Sequence, residues 1–278
     1  MVRTFRHAET GRTFALGRRL PAAWAPQLDL ARYVDPNAPA RPFGQRWESK
    51  AIHALHNPLG NDQYGDCVFA GLFKLDVEWR RNAGDAASPD PTEADALGLY
   101  ARVTGFDPAK PDTDRGADLQ TALAYVKAHG LTSSGAGKVA GWCAVDAEKP
   151  ALVRRAIDIF GGVYTGCALP DAWLQNPREG MDWMVAGDPN PANGHCTAWF
   201  DYNAYGVICN SWGLFVQISW AAIAKYWAAS AGGEVYAVFS PDWLNAATQT
   251  SPSGLDAAQL AADLAANPEE LRWGGFYI

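Results

Sequence analysis

The chain has 278 residues, 48% hydrophobic, 12% aromatic and 19% charged, enough apolar material for one large domain or two small ones and too much for a disordered tail. Its 27 glycines and 18 prolines exclude a long helical bundle or coiled coil and favour a loop-rich mixed fold. A net charge of −7 argues against a nucleic-acid binder.

Residues 1–45 depart from that acidic balance: Arg3, Arg6, Arg12, Arg18 and Arg19 face Glu9 alone at the start. The segment is rich in Pro as well as Arg and weak in periodicity, so it reads as an extended basic arm laid over a surface. It lacks the apolar core of a secretory signal, and no export signal is expected.

From Cys67 the pattern becomes helical. Val68, Leu72, Leu75 and Trp79, flanked by Phe69 and Phe73, recur at helix spacing until Asn82-Ala83-Gly84. A second helix is predicted after Thr92, whose hydroxyl forms a capping box with Asp95, and ends near Gly105. A third runs from about Ala117 to His129, with Leu119, Leu123 and Val126 on one face and Gly130 as its stop.

Beyond Gly130 the segments KVAGWCAV, GGVYTGCAL, HCTAWFDY, YGVICNSW, LFVQIS and GEVYAVFS are short, β-branched and aromatic, as strands are. Helices at about Lys149 to Phe160 and Trp220 to Ala229 interrupt them. A helical half thus precedes a sheet half, the α+β order. The longest uncharged stretch, Tyr202 to Ala224, is broken by Asn203, Asn210, Ser211, Gln217 and Ser219, so it reads as buried strands and not a membrane span. The division follows as arm 1–45, helical lobe 46–137, β lobe 138–245 and a tail 246–278. In the tail, Leu255, Leu260 and Leu264 predict a short amphipathic helix ahead of Trp273, Phe276, Tyr277 and Ile278. Arm and tail are expected to attach the protein to an assembly partner, against the alternative that both fold back on their own domain.

The five cysteines, Cys67, Cys143, Cys167, Cys196 and Cys209, are odd in number and match no zinc spacing. Free thiols in a reducing compartment are expected, with no metal and no cofactor. His53 and His56 lack ligand partners at useful spacing and read, like His7 and His129, as surface or packing residues.

Cys67 is different because GNDQYGDC sets it at the first turn of a helix, where free N–H groups and the helix dipole favour a thiolate. A base is available in GHC, where His195 opens a strand of the other half, and NSWG follows one strand later with Asn210. Asp66, next to the nucleophile, would oppose the thiolate if it pointed inward, and is expected to face solvent or cap the helix.

These motifs resemble the papain-like cysteine peptidases, in which Cys comes first, His far downstream and Asn in NSWG. GNDQYGDC is similar to the version in bacterial and phage proteins of that kind. RGADLQTALAYVKAHGL and GGVYTGCALP resemble its Gly-rich segment before a helix and its strand before the His. The resemblance covers about Asn57 to Phe239. It implies a two-lobed fold, a helical lobe followed by an antiparallel sheet or barrel, with the active-site cleft between them. It further implies that Cys67 is the nucleophile, His195 the base and then acid, Asn210 the group orienting the imidazole and Trp212 its shield. The oxyanion hole falls to Asn61, which matches the family's glutamine in spacing but is one methylene shorter, or to Gln63. Gly65, Gly116 and Gly194 would line the cleft and meet substrate.

The function so implied is hydrolysis of peptide bonds through a thioester, on a peptide or protein substrate, with no nucleic acid or membrane partner. An alternative keeps the fold as a structural or binding part of a phage particle or bacterial assembly; another is acyl transfer or amide hydrolysis on a non-protein substrate such as a cell-wall peptide. The expected location is cytoplasmic or virion-associated.

Overall fold

Two antiparallel strands, β1 (Arg3–Arg6) and β2 (Thr13–Leu16), open the chain where the sequence predicts an extended arm. Phe5 and Phe14 stack across the pair at 5.2 Å, and such cross-strand aromatic pairs hold short ribbons together. The computed structural model describes residues 2–22, 29–32, 46–245, 248 and 250–253. The tail helix and the aromatic C-terminus predicted from Leu255 onward lie outside the described residues.

The helical part comprises α1 (Ile52–Leu55), α2 (Cys67–Ala83), α3 (Glu93–Thr104) and α4 (Leu119–His129). Helix α2 is buried along nearly its whole length, as a central helix must be. Its polar side chains therefore need partners: Arg80 Nε donates to Asp76 at 2.8 Å, and Trp79 Nε1 donates to the Phe160 carbonyl at 2.8 Å. Gly84, at φ 97°, stops it in the left-handed conformation that glycine tolerates best. The capping box predicted at Thr92 and Asp95 is present, and the Asp118 carboxylate caps α4 through Thr121 N–H at 2.8 Å.

The β part runs β3 (Gly141–Ala144), α5 (Pro150–Phe160), β4 (Val163–Ala168), β5 (Asp182–Trp183), β6 (Gly194–Tyr202), β7 (Gly206–Ser211), β8 (Leu214–Ser219), α6 (Trp220–Tyr226) and β9 (Glu234–Phe239). One sheet holds them in the order β3-β9-β4-β6-β7-β8-β5, antiparallel except for β5 on β8. The six strands read from sequence are all present. The two-residue β5 is too short to carry a periodicity. Every residue of β6 is buried, with α2 packed against it and Trp199 in edge contact with Trp227 at 5.1 Å. The packing of α2 on β6 brings the two halves together. Among the described residues no helix is long and apolar enough to cross a membrane, and no group of three or more His, Cys, Asp or Glu could hold a metal ion.

Candidate active site

Cys67 is the first residue of α2, and its thiol is met by backbone N–H groups of Cys196, Gly17 and Val68. Those donors favour the thiolate, yet burial outweighs them and pushes the thiol up to about 12. Cys196, whose N–H meets the thiol, directly follows His195 on β6. The His195 ring stacks on Trp212 at 4.1 Å, its Nε2 is hydrogen-bonded to Ser211 Oγ at 2.9 Å, and its buried Nδ1 has no partner. Burial first, and the Lys74 ammonium second, lower its pKa to about 3. In this closed arrangement both groups are neutral.

The hairpin between β7 and β8 explains how NSWG builds this stack. Its connecting residues Trp212 and Gly213 have φ of 54° and 77°, as a tight type I′ connection requires. A tryptophan in that region is unusual and marks a local constraint. Here the indole is held on three sides: by His195, by Phe14 at 5.3 Å and through Nε1, which donates to the Ala15 carbonyl at 2.9 Å.

Asn210 does not orient His195. Its Oδ1 accepts from Lys74 Nζ, and its Nδ2 donates to the Leu55 carbonyl at 3.1 Å. Successive strand residues point to opposite faces, so only one of Asn210 and Ser211 can meet the imidazole, and that one is Ser211. Lys74 lies two turns beyond Cys67 on α2, buried, with its pKa lowered to about 7 by that burial. The sequence reading missed both Lys74 and Ser211. A lysine inside an otherwise apolar stretch of α2 was the available signal for the first.

The N-terminal segment occupies the cleft. Ala15 N–H donates to the Asn61 carbonyl at 3.0 Å, Ala117 N–H to Gly17 at 2.8 Å, Arg18 N–H to Gly194 at 3.0 Å and Arg19 N–H to Ala117 at 2.7 Å. The glycines predicted to meet substrate meet this segment instead. A Cβ on Gly116 would fall 1.8 Å from the Gly17 carbonyl oxygen, one on Gly194 2.0 Å from that of Arg18, and one on Gly65 2.2 Å from Val2. Asn61 is buried, and its Nδ2 donates to the carbonyls of Ala15 at 3.3 Å and Tyr64 at 3.1 Å. Gln63 is exposed. Asn61 and Trp212 thus converge on one carbonyl oxygen, that of Ala15.

No family model matches the chain, and no curated protein matches it by sequence. Among solved structures it is similar to xylellain, a cysteine protease from Xylella fastidiosa, over 81% of this chain and 96% of that one, with 11% identity and a TM-score of 0.51. The chain has the papain-like fold. It also matches a structure from work on the mite allergens Blo t 1 and Der p 1 (14% identity, 78% of this chain and 75% of that one, TM-score 0.49). A third match is to the cysteine protease and lectin-like domains of Cwp84, a surface layer associated protein of Clostridium difficile (15% identity, 81% and 54%, TM-score 0.38).

Within this papain-like frame Asp66 departs from expectation. It neither faces solvent nor caps α2 with its side chain; it is fully buried, and neither carboxylate oxygen has a hydrogen-bond partner. Burial, with Asp114 and Asp62 nearby, raises its pKa well above the ordinary value, and its charge adds to what holds the Cys67 thiol up. His7 is buried rather than at the surface, its Nδ1 accepting from Glu9 and Thr10 N–H at 3.2 and 3.1 Å. His53, His56 and His129 are exposed. All five thiols are free, and Cys143 alone is only partly buried.

A buried neutral imidazole has a thermodynamic consequence. His195 protonates near 6.5 in the unfolded chain and near about 3 in the fold, so between those values the unfolded form binds more protons. Stability must then fall as pH drops from about 6.5 towards 3. His195→Gln is expected to weaken that fall by at most about 1 kcal/mol per pH unit, read as the change in denaturant midpoint between pH 7 and pH 5; equal slopes in both proteins would contradict a neutral His195.

Proposed function

We propose that the chain is a thiol hydrolase of peptide bonds, held closed by its own N-terminal segment. The observation that carries this reading is the convergence of Asn61 Nδ2 and Trp212 Nε1 on the Ala15 carbonyl, two residues before Gly17, whose N–H meets the helix-terminal Cys67. Donors aimed at one oxygen are what a tetrahedral oxyanion needs. With the Nε2–H donating to Ser211 Oγ, the His195 Nδ1 keeps the lone pair of a general base. Cys67 would attack the scissile carbonyl carbon, Nδ1 would take the thiol proton and return it to the leaving amine, and water would hydrolyse the thioester. The segment itself offers Cys67 the N–H of Gly17 rather than a carbonyl carbon, which accounts for an occupant that is not a substrate.

Opening the cleft supplies the activation. Water reaching Cys67 and His195 relieves the burial that now keeps both neutral, bringing their pKa values towards each other. The reading of the fold as a non-catalytic assembly component draws on the same occupied cleft. Fluorogenic peptide hydrolysis by the chain opened at Gly17 with Gly17→Val, whose Cβ would fall 1.8 Å from the Gly65 carbonyl oxygen, compared with the same chain carrying Cys67→Ala, separates the two. Turnover is expected to vanish with Cys67→Ala; turnover that survives it removes Cys67 as the nucleophile, and none in either favours the non-catalytic reading.

A further inference from the structure

Arg18 sends its side chain out of the segment and into the body of the protein. The side chains of Arg18 and Glu234 are each only 3% exposed. Arg18 Nε and Nη2 donate to Glu234 Oε1 at 3.0 and 2.6 Å, and Nη2 also donates to the Gly232 carbonyl at 2.7 Å. The other carboxylate oxygen is held by Tyr236, whose hydroxyl donates to Oε2 at 2.9 Å and in turn accepts from Gln120 Nε2 at 2.9 Å. Room for the guanidinium comes from Gly166 on β4: a Cβ there would lie 2.9 Å from Arg18 Nε. Leu119 supplies an apolar wall.

This pocket opens from the cleft, since the backbone of Gly17 meets Cys67 and that of Arg18 meets Gly194. A carboxylate so buried is costly unless a cation pairs with it, and burial does push Glu234 upward while Arg18 pulls it back. The partners arranged here, a carboxylate and a carbonyl for successive donors of one planar group, suit guanidinium better than a compact ammonium. Yet the arginine present belongs to the segment that must leave if the cleft is to work.

We propose that the cleft contains a guanidinium pocket, floored by Glu234 and bounded by Gly166 and Gly232, which takes the arginine side chain of a peptide once Arg18 leaves. The peptide as substrate rests on the hydrolase reading above; the pocket itself does not.

The test uses the full chain carrying Arg18→Ala, which empties the pocket, and ethylguanidinium as probe with the neutral isostere ethylurea as control. Ethylguanidinium at about 10 mM is expected to raise the melting temperature of that variant by about 2 °C or more, with ethylurea inert. Neither should act on the unmodified chain or on the Arg18→Ala, Glu234→Gln double variant. No rise, or an equal rise in the double variant, overturns the pocket. Should Arg18→Ala fail to fold, the yield of refolded protein replaces melting: recovery with ethylguanidinium alone supports the pocket, and recovery with both additives or neither overturns it. The chain opened at Gly17 is then assayed on peptides with arginine or norleucine at each position. Guanidinium rescue without hydrolysis would keep the pocket and remove the hydrolase reading. Hydrolysis without any preference for arginine would overturn the pocket as a substrate site.

Discussion

Replacing Gly17 by Val is expected to raise the alkylation rate of Cys67 by about 10²-fold, because overpacking a close contact costs up to about 3 kcal/mol and 1.4 kcal/mol is a factor of ten. A Cβ at position 17 would come within 1.8 Å of the Gly65 carbonyl oxygen and 2.5 Å of Gly65 Cα. Those atoms are backbone and cannot swing aside, so the segment must lift out of the cleft. The lifted segment takes the Gly17 N–H from the thiol and admits water. Limiting iodoacetamide near pH 7 followed by peptide mapping measures the rate, and circular dichroism confirms that the remainder stays folded. An unchanged rate in a folded Gly17→Val protein would mean that the segment does not cover Cys67 in solution. Preferential labelling of the partly buried Cys143 in place of Cys67 would remove Cys67 as the reactive thiol.

Ser211→Ala and Asn210→Ala should fail in different ways. Ser211 meets the imidazole at 2.9 Å, and losing that bond frees the ring to turn. Small misplacements of a catalytic group cost about 10²-fold in rate, so kcat of the opened chain should fall by about that factor with little change in melting temperature. Rescue by Ser211→Thr, which restores a hydroxyl, distinguishes positioning from general damage. Asn210 instead accepts from the buried Lys74. Its removal leaves that ammonium with the Leu55 carbonyl alone, at 3.3 Å, a loss of about 2 kcal/mol or more of stability, visible in denaturant melts. A large kcat loss in Asn210→Ala at unchanged stability would return the orienting role to Asn210.

The two variants mark where local pattern stops being informative. The sequence by itself determined the helices and most of the strands, because their causes are local. Thr92 and Asp95 lie within one turn, Gly84 and Gly130 end the helices they follow, and the apolar spacing from Val68 to Trp79 makes one helix whatever it packs against. The order Cys67, His195, NSWG was likewise legible, whereas the choice between Asn61 and Gln63 stayed open until the fold buried Asn61 and left Gln63 exposed.

What only the tertiary structure decided depends on long-range choices of face and depth. Asn210 and Ser211 are adjacent letters on opposite faces of β7, and which face turns to His195 follows from how β6 and β7 pair, including the register shift between Trp199 and Asp201. Asp66 reads as a residue that faces solvent or caps the helix, yet it is fully buried, and that depth, set by the elements closing over it, raises its pKa well above the ordinary value. The N-terminal segment carries no periodicity that would send it into the cleft. Its docking rests on bonds to Asn61, Ala117 and Gly194 and on Glu234, groups distant in sequence that only the finished fold assembles around it.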